Sequence, residues 1–249
     1  MAAGGFASAA PTYARIRPTY ARPAIGGLKE AIGTTGPVAD VAAGTGILSG
    51  QLHRAGMTIL AVEPVPEMLA QLRRSLPGVA ATRGLAEWLP FADSVLDGVV
   101  VGEAFHWFDA PVAVREAARV LRPGGVLAML WNRRDTSVDW VRCYGEAVLS
   151  ECPQGRPYEH EPDWGEVVAA TAAFGSQLRS DHPNPQPSSP SGLLDRAAST
   201  SFVADAEPAA RERVLERVRS LAATHPDLTG RDRFDLPYRT EVHQWRRIG

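Results

Sequence analysis

The 249-residue sequence has almost no lysine: Lys29 is the only one, so its positive charge is carried by arginine. Acidic residues slightly outnumber basic ones, 28 to 26, for a formal net charge of −2. That balance argues against the strongly positive face by which proteins hold nucleic acid or anionic membrane. Cysteine is scarce too. Cys143 and Cys152 stand alone, without CxxC or CxxH spacing. This argues against a disulfide framework and a structural zinc, and fits a reducing cytoplasm. No His/Asp cluster has ligand spacing, so no metal is expected. No apolar run approaches the roughly 20 residues of a membrane span. The opening "MAAGGFASAAPTYAR" lacks a basic n-region and a long apolar core, so no signal peptide is expected and the protein reads as cytoplasmic. Long low-complexity tracts are also missing; the repeat of "PTYAR" at 11–15 and 18–22 is short enough to be coincidence. What remains is an ordinary globular composition, 45% hydrophobic and 22% charged, sized for one large domain or a domain with a cap.

Along the first half, short apolar runs alternate with helical patterns. Strands are expected at 37–42, 57–63, 78–83, 95–103 and 126–132. Helices are expected at 46–56, 64–76 and 110–121, the last closed by a turn at "RPGG". Near-continuous apolar strands separated by helices indicate a parallel sheet covered on both faces. Beyond Arg133 the pattern changes: helices are expected at 137–151, 163–174 and 206–224, an irregular proline-rich passage at 182–192, and a terminal strand at 235–248. The expected organisation is an N-terminal cap segment (1–33), a core (34–135), a helical cap and substrate-side insertion (136–234), and a terminal strand completing the sheet (235–249).

"DVAAGTG", Asp40 to Gly46, is a small-residue turn between the first strand and a helix. Glycines at 44 and 46 let a ligand lie against the backbone, and the helix N-terminus beyond is partially positive. Glu63 follows Gly44 by nineteen residues at the end of the second strand, where a carboxylate can accept both hydroxyls of a ribose. Two details separate an adenosyl ligand from a dinucleotide. The third glycine of GxGxxG is replaced by Ser49, with Gly50 one step late. Asp40 at the head of the loop repels phosphates but suits a cation, such as the sulfonium and amine of S-adenosylmethionine.

With "YARIRPTY", "DVAAGTGIL", "VEPVPEML", "GLAEWLPFADSVLDGVVVGEAFHWFD" and "ARVLRPGGVLAMLWNRRD", the chain resembles the class I S-adenosylmethionine-dependent methyltransferases. The resemblance is to the UbiE-like, type 11 group, nearest the trans-aconitate methyltransferase-like subgroup. It runs from Tyr13 to about Asp135 and returns weakly in "LPYRTEV". It implies an α/β, Rossmann-like fold with a mostly parallel seven-stranded sheet, an antiparallel last strand and a helical cap. It also implies S-adenosylmethionine as cofactor, with S-adenosylhomocysteine as product. Carried onto this sequence, Asp40, Ala42, Gly44 and Gly46 line the methionyl half, Glu63 binds the ribose, and Pro64 and Met68 pack near the adenine. Ala86 and Glu87 lie at the adenine's edge, and Gly102, Glu103 and Phe105 border the methionyl chain. For Arg17 and Tyr13 two readings stand: Arg17 meets the cofactor carboxylate and Tyr13 covers the methionyl end, or both only pin the N-terminal segment to the body. Two positions depart from the pattern: the first loop glycine is Ala42, a mild change if its dihedrals are ordinary, and the acid many relatives place before "AE" is Leu85.

"FHWFD" (105–109) falls where the acceptor enters. His106 is the candidate catalytic base, with pocket shaping as its alternative. Tyr20, His106, Trp107 and Trp131 are the candidate acceptor-binding residues, with Trp131 expected at the same rim. The expected acceptor is a small molecule, with O-methylation of a carboxylate or hydroxyl ahead of C-methylation, and no nucleic-acid or membrane partner. The protein is expected as a monomer or homodimer. Two other functions remain compatible with these residues: an S-adenosylmethionine-binding protein without transferase activity, and an NAD(P)-dependent oxidoreductase.

Overall fold

The computed structural model describes residues 17–152 and 162–249, which divide into two compact units. One comprises residues 19–132, 162–182 and 240–249; the other comprises, of the described residues, 17–18, 133–152 and 183–239. No helix among the described residues is long and apolar enough to cross a membrane.

The first unit is built on the alternation of strands and helices seen in the sequence. After α1 (Arg22–Ile32) come β1 (Pro37–Val41), α2 (Ile47–Arg54), β2 (Thr58–Val62), α3 (Pro66–Ser75), β3 (Ala80–Thr82) and β4 (Leu96–Gly102). A 3₁₀ turn at Phe105–Trp107, α4 (Ala110–Val120) and β5 (Leu121–Arg134) follow. Helix α6 (Trp164–Ala169), β6 (Leu178–Pro183) and β9 (Tyr238–Arg246) complete the set. The strands form one seven-stranded sheet in the order β3-β2-β1-β4-β5-β9-β6, mostly parallel with one antiparallel strand, as expected. The order reverses between β1 and β4, and such a switch point opens a crevice at the carboxyl ends of the strands.

Period-two alternation decides which face each residue joins. Ala39, Val41, Val99, Val101, Leu127, Met129 and Trp131 enter one core with Val114 and Ala117 of α4 and Trp164 and Val168 of α6. Val38, Val100, Val126, Ala128 and Leu130 enter the other, with Leu28 of α1, Leu48 and Leu52 of α2 and Leu72 of α3. Each strand is therefore apolar on both sides, which is why the runs read as continuous.

The second unit contains α5 (Asp139–Leu149), β7 (Gln186–Ser188), α7 (Pro190–Ala198), α8 (Ser201–Ala204), α9 (Pro208–Thr224) and β8 (Phe234–Leu236). Its own core holds Trp140, Tyr144, Leu193, Val214, Val218 and Leu236. Helix α9 is long but buries only Val214 and Val218, a stripe narrow enough to leave most of its surface charged.

Three local expectations are corrected. The passage 182–192 is not irregular: β7 pairs antiparallel with β8, with Pro187 opposite Asp235 in a two-stranded ribbon where a missing N–H is tolerated. Pro190 then opens α7, whose cap Ser189 accepts from the Gly192 N–H at 3.0 Å. The helix expected over 163–174 stops at Ala169, and Ala172 takes a left-handed φ of +51° that no helix continues through. "RPGG" is not a turn between elements but part of β5. There the register against β4 passes from Leu96 opposite Leu121 to Gly98 opposite Val126, and the surplus residues bulge.

Candidate functional site

At the carboxyl end of β1 the chain leaves the sheet through three left-handed residues: Ala42 (φ +55°), Gly44 (φ +58°) and Gly46 (φ +91°). Ala42 is the exception, because a Cβ in this region costs roughly 1–2 kcal/mol. The substitution there is therefore not mild; its dihedral is the one a glycine would favour. Gly46 is required twice over, since a Cβ would also stand 2.8 Å from Leu76 Cδ1. Among the described residues, Met68 Sδ is the one atom near a Cβ placed on Gly44, at 3.9 Å.

Two buried carboxylates flank this loop. Asp40 points to the α2 face of the sheet, between Ala61 of β2 and Val100 of β4 in register. The Ser49 hydroxyl donates to Asp40 Oδ2 at 2.5 Å. Burial raises the Asp40 pKa to about 7; hydrogen bonding from Ser49 opposes that rise and the charge of Glu63 adds to it. Glu63 itself is buried, and its carboxylate spans the mouth of the loop: Oε2 accepts from Gly44 N–H at 2.7 Å and Oε1 from Val65 N–H at 2.8 Å. Burial also raises its pKa, against those two bonds. The nineteen-residue spacing in the sequence is thus a direct contact in space. Each oxygen keeps a second acceptor position.

The end of β4 forms the adjacent wall. A Cβ on Gly102 would stand 2.3 Å from the Tyr20 hydroxyl oxygen, so Tyr20 lies directly on this glycine. Tyr20 is buried in the α1–α2 core, and its backbone is clamped by Gln51, which donates to its carbonyl and accepts from its N–H, each at 2.8 Å. Glu103 holds a left-handed φ of +60° with its Oε1 accepting from Asn132 N–H at 2.6 Å. Asn132 Oδ1 accepts from Thr240 Oγ1, and Thr240 Oγ1 accepts from Ala21 N–H, so one chain of bonds links β4, β5, β9 and the segment before α1. Non-glycine left-handed residues persist where surrounding contacts over-determine them, and they cluster at functional sites. Ala42 and Glu103 occupy the ends of neighbouring strands.

Phe105 is buried, edge-on to Phe108 and Trp164. Trp131 is 2% exposed, stacked against Trp164 and edge-on to His243. The expected place of Trp131 at an open rim is corrected: odd-numbered residues of β5 face the α4–α6 core. Trp164 Nε1 is buried without an acceptor among the described residues. His106 and Trp107, by contrast, are exposed, with Trp107 at 60% and the two rings 4.8 Å apart.

Of the remaining candidates, Met68 and Ala86 are buried and Pro64 is half-buried, its carbonyl accepting from Arg83 Nε. Glu87 Oε1 accepts from Asp109 N–H at 2.9 Å, fixing the residue that caps α4. Leu85 is exposed and forms a bridge with Trp88. Arg17 lies in the other unit, and Tyr13 lies outside the described residues. The loop and strand-end residues Asp40, Ala42, Gly44, Gly46, Glu63, Gly102 and Glu103 come together at the switch point. Ser49, which the sequence marks only as the place of a missing third glycine, lies against Asp40 in the structure.

Comparison with known proteins agrees with this geometry. Residues 39–129 match a family described as a methyltransferase domain. An uncharacterized methyltransferase of Mycobacterium tuberculosis is 39% identical over 235 residues, covering 94% of this chain and 92% of the relative. Among solved structures, a candidate type II methyltransferase from Anaeromyxobacter dehalogenans superposes with a TM-score of 0.68 at 21% identity, covering 93% of this chain and 97% of that one. Geranyl diphosphate methyltransferase in complex with S-adenosylmethionine superposes with a TM-score of 0.52 at 14% identity, covering 91% and 85%. A Rossmann-like sheet with its glycine-turn crevice, and a relative alike over nearly the whole chain, lead to one conclusion: this chain belongs to the methyltransferase family.

Proposed function

We propose that the chain is an S-adenosylmethionine-dependent methyltransferase that acts on a small oxygen-bearing molecule, transferring the methyl to a carboxylate or hydroxyl oxygen. The observation that carries this is the Glu63 carboxylate bonded to Gly44 N–H at 2.7 Å across the mouth of the loop. It presents unfilled acceptor positions to a ribose diol, and among the described residues only Met68 Sδ comes near a Cβ placed on Gly44, which leaves room for the ligand's body. Asp40 supplies the negative charge for an ammonium group, and Met68 and Ala86 supply apolar surface for the adenine. The wider role set, with Ala42, Gly46, Pro64, Glu87, Gly102, Glu103 and Phe105 on the cofactor and with the sequence resemblance adding Tyr13 and Arg17, belongs to the same proposal. The narrower placement near trans-aconitate methyltransferases rests on the sequence motifs alone.

When bound, S-adenosylmethionine supplies an electrophilic methyl on a cationic sulfur. The chain's own residues then hold the acceptor in line and exclude water, and such alignment accounts for much of the rate in reactions of this type. The exposed His106–Trp107 pair provides an acceptor-side surface. His106 removes a proton where the acceptor is a hydroxyl and only orients it where the acceptor is a carboxylate.

The test is calorimetric titration of S-adenosylmethionine, with methyl transfer to a panel of small acids and phenols followed by mass spectrometry. Glu63→Ala is expected to weaken cofactor binding by roughly 1.5–3 kcal/mol, the scale of charge-assisted hydrogen bonds. Unchanged affinity in folded mutant protein would remove Glu63 from the cofactor site. Binding without transfer to any acceptor would favour a cofactor-binding protein without transferase activity.

A further inference from the structure

We propose that Ser49 is a positioning residue for the methionyl end of the cofactor, its hydroxyl holding the Asp40 carboxylate where it receives the cofactor's ammonium group. The proposal rests on the S-adenosylmethionine reading above and adds a residue to it. Ser49 is fully buried and Asp40 is 1% exposed, so neither group is held by solvent. Ser49 is the third residue of α2, counted from the Gly46 cap, and its N–H is one of the donors a helix start leaves without an internal partner. On either side in the sheet Asp40 meets only Ala61 and Val100. The charged group whose field reaches it is Glu63, beyond the end of β2, which works with burial against ionisation.

Ser49 is therefore the group that opposes both burial and Glu63. Without its hydroxyl, a carboxyl in this apolar slot keeps its proton to higher pH, and a neutral acid cannot pair with an ammonium ion. A serine rather than a third glycine at this position thus sets the lower end of the pH range in which the loop accepts an amine. A purely structural serine, capping α2 and nothing more, would affect stability alone.

The two roles separate in a calorimetric titration of S-adenosylhomocysteine into the full chain, as wild type, Ser49→Ala and Ser49→Thr, across roughly pH 6 to 8.5, a range that spans the Asp40 ionisation. Wild-type affinity is expected to rise with pH. Ser49→Ala is expected to bind about tenfold more weakly near neutrality, with its rise displaced by about one pH step. Ser49→Thr, which keeps the hydroxyl, is expected to restore the wild-type curve. The proposal is overturned if Ser49→Ala lowers the melting temperature while its affinity-against-pH curve overlays the wild type. It is equally overturned if Ser49→Thr is as weak as Ser49→Ala. Should Ser49→Ala not fold, the carbon-13 carboxyl titration of Asp40 in wild-type protein decides instead. Its midpoint must fall when S-adenosylhomocysteine binds, and an unmoved midpoint overturns the proposal. Wild-type protein that binds no S-adenosylhomocysteine at any pH would overturn the cofactor reading itself.

Discussion

Replacing Asp40 by asparagine isolates what a buried acid costs this fold. In the unfolded chain Asp40 ionises at an ordinary 3.8, and in the folded protein at about 7. Between those values the folded state keeps a proton that the unfolded state has released, so unfolding stability falls as pH rises. The contribution is fully present below 3.8, is lost by about 7, and is flat above. At 1.36 kcal/mol for each tenfold change in proton affinity, the full loss is about 4 kcal/mol. Asparagine keeps the shape and an oxygen to accept from Ser49 but never ionises. Its amide N–H₂ enters an apolar slot between Ala61 and Val100, at a cost of about 1–3 kcal/mol. Asp40→Asn is therefore expected to be less stable than wild type near pH 4 and to match or exceed it near pH 8. The assay is urea unfolding of both proteins at a series of pH values, taken as a difference so that every carboxylate not coupled to Asp40, as Glu63 is, cancels. A difference that stays flat from pH 4 to 7, or that runs the opposite way, would refute the reasoning. The same mutant should bind S-adenosylhomocysteine poorly, since the costly charge is the one a cationic ligand needs.

Other expectations concern the loop and its aromatic neighbour. Gly46→Ala adds a methyl that meets Leu76 at 2.8 Å and imposes a left-handed alanine, so thermal or urea unfolding should show a loss of roughly 2–4 kcal/mol. A loss below about 1 kcal/mol would mean that the loop reshapes freely. Ala42→Gly relieves a left-handed Cβ worth roughly 1–2 kcal/mol against about 0.5–1 kcal/mol of added chain entropy, so stability should hold or rise slightly. A clear loss in the same unfolding assay would show that the Ala42 methyl is packed to advantage. His106→Gln should leave cofactor affinity intact and slow single-turnover methylation of a hydroxyl acceptor by about 10²–10⁴-fold. For a carboxylate acceptor it should change chiefly KM, and unchanged rate and KM would move the acceptor site away from residues 105–109.

The sheet and its crevice were legible in the sequence because they depend on local signals. Runs such as those at 37–41 and 96–102 are apolar apart from one acid each, Asp40 and Asp97, and a strand buried on both faces asks for such a run. The loop's glycines and the spacing to Glu63 marked the turn at the carboxyl ends of β1 and β2, where Glu63 meets Gly44. Proline-rich 182–192 misled, since its prolines lie in a two-stranded ribbon and at a helix start, places where proline fits. Trp131 misled differently. Its neighbours in sequence end a strand, but only the strand's phase against α4 and α6 decides whether an end residue is rim or core. The Ala42 dihedral, the Glu63–Gly44 bond and the Ser49–Asp40 pair belong wholly to tertiary structure. Sequence determined which chemical groups stand near the loop. Packing of α2 against β1 decided which of them touch, and burial decided how reluctant each carboxylate is to carry its charge.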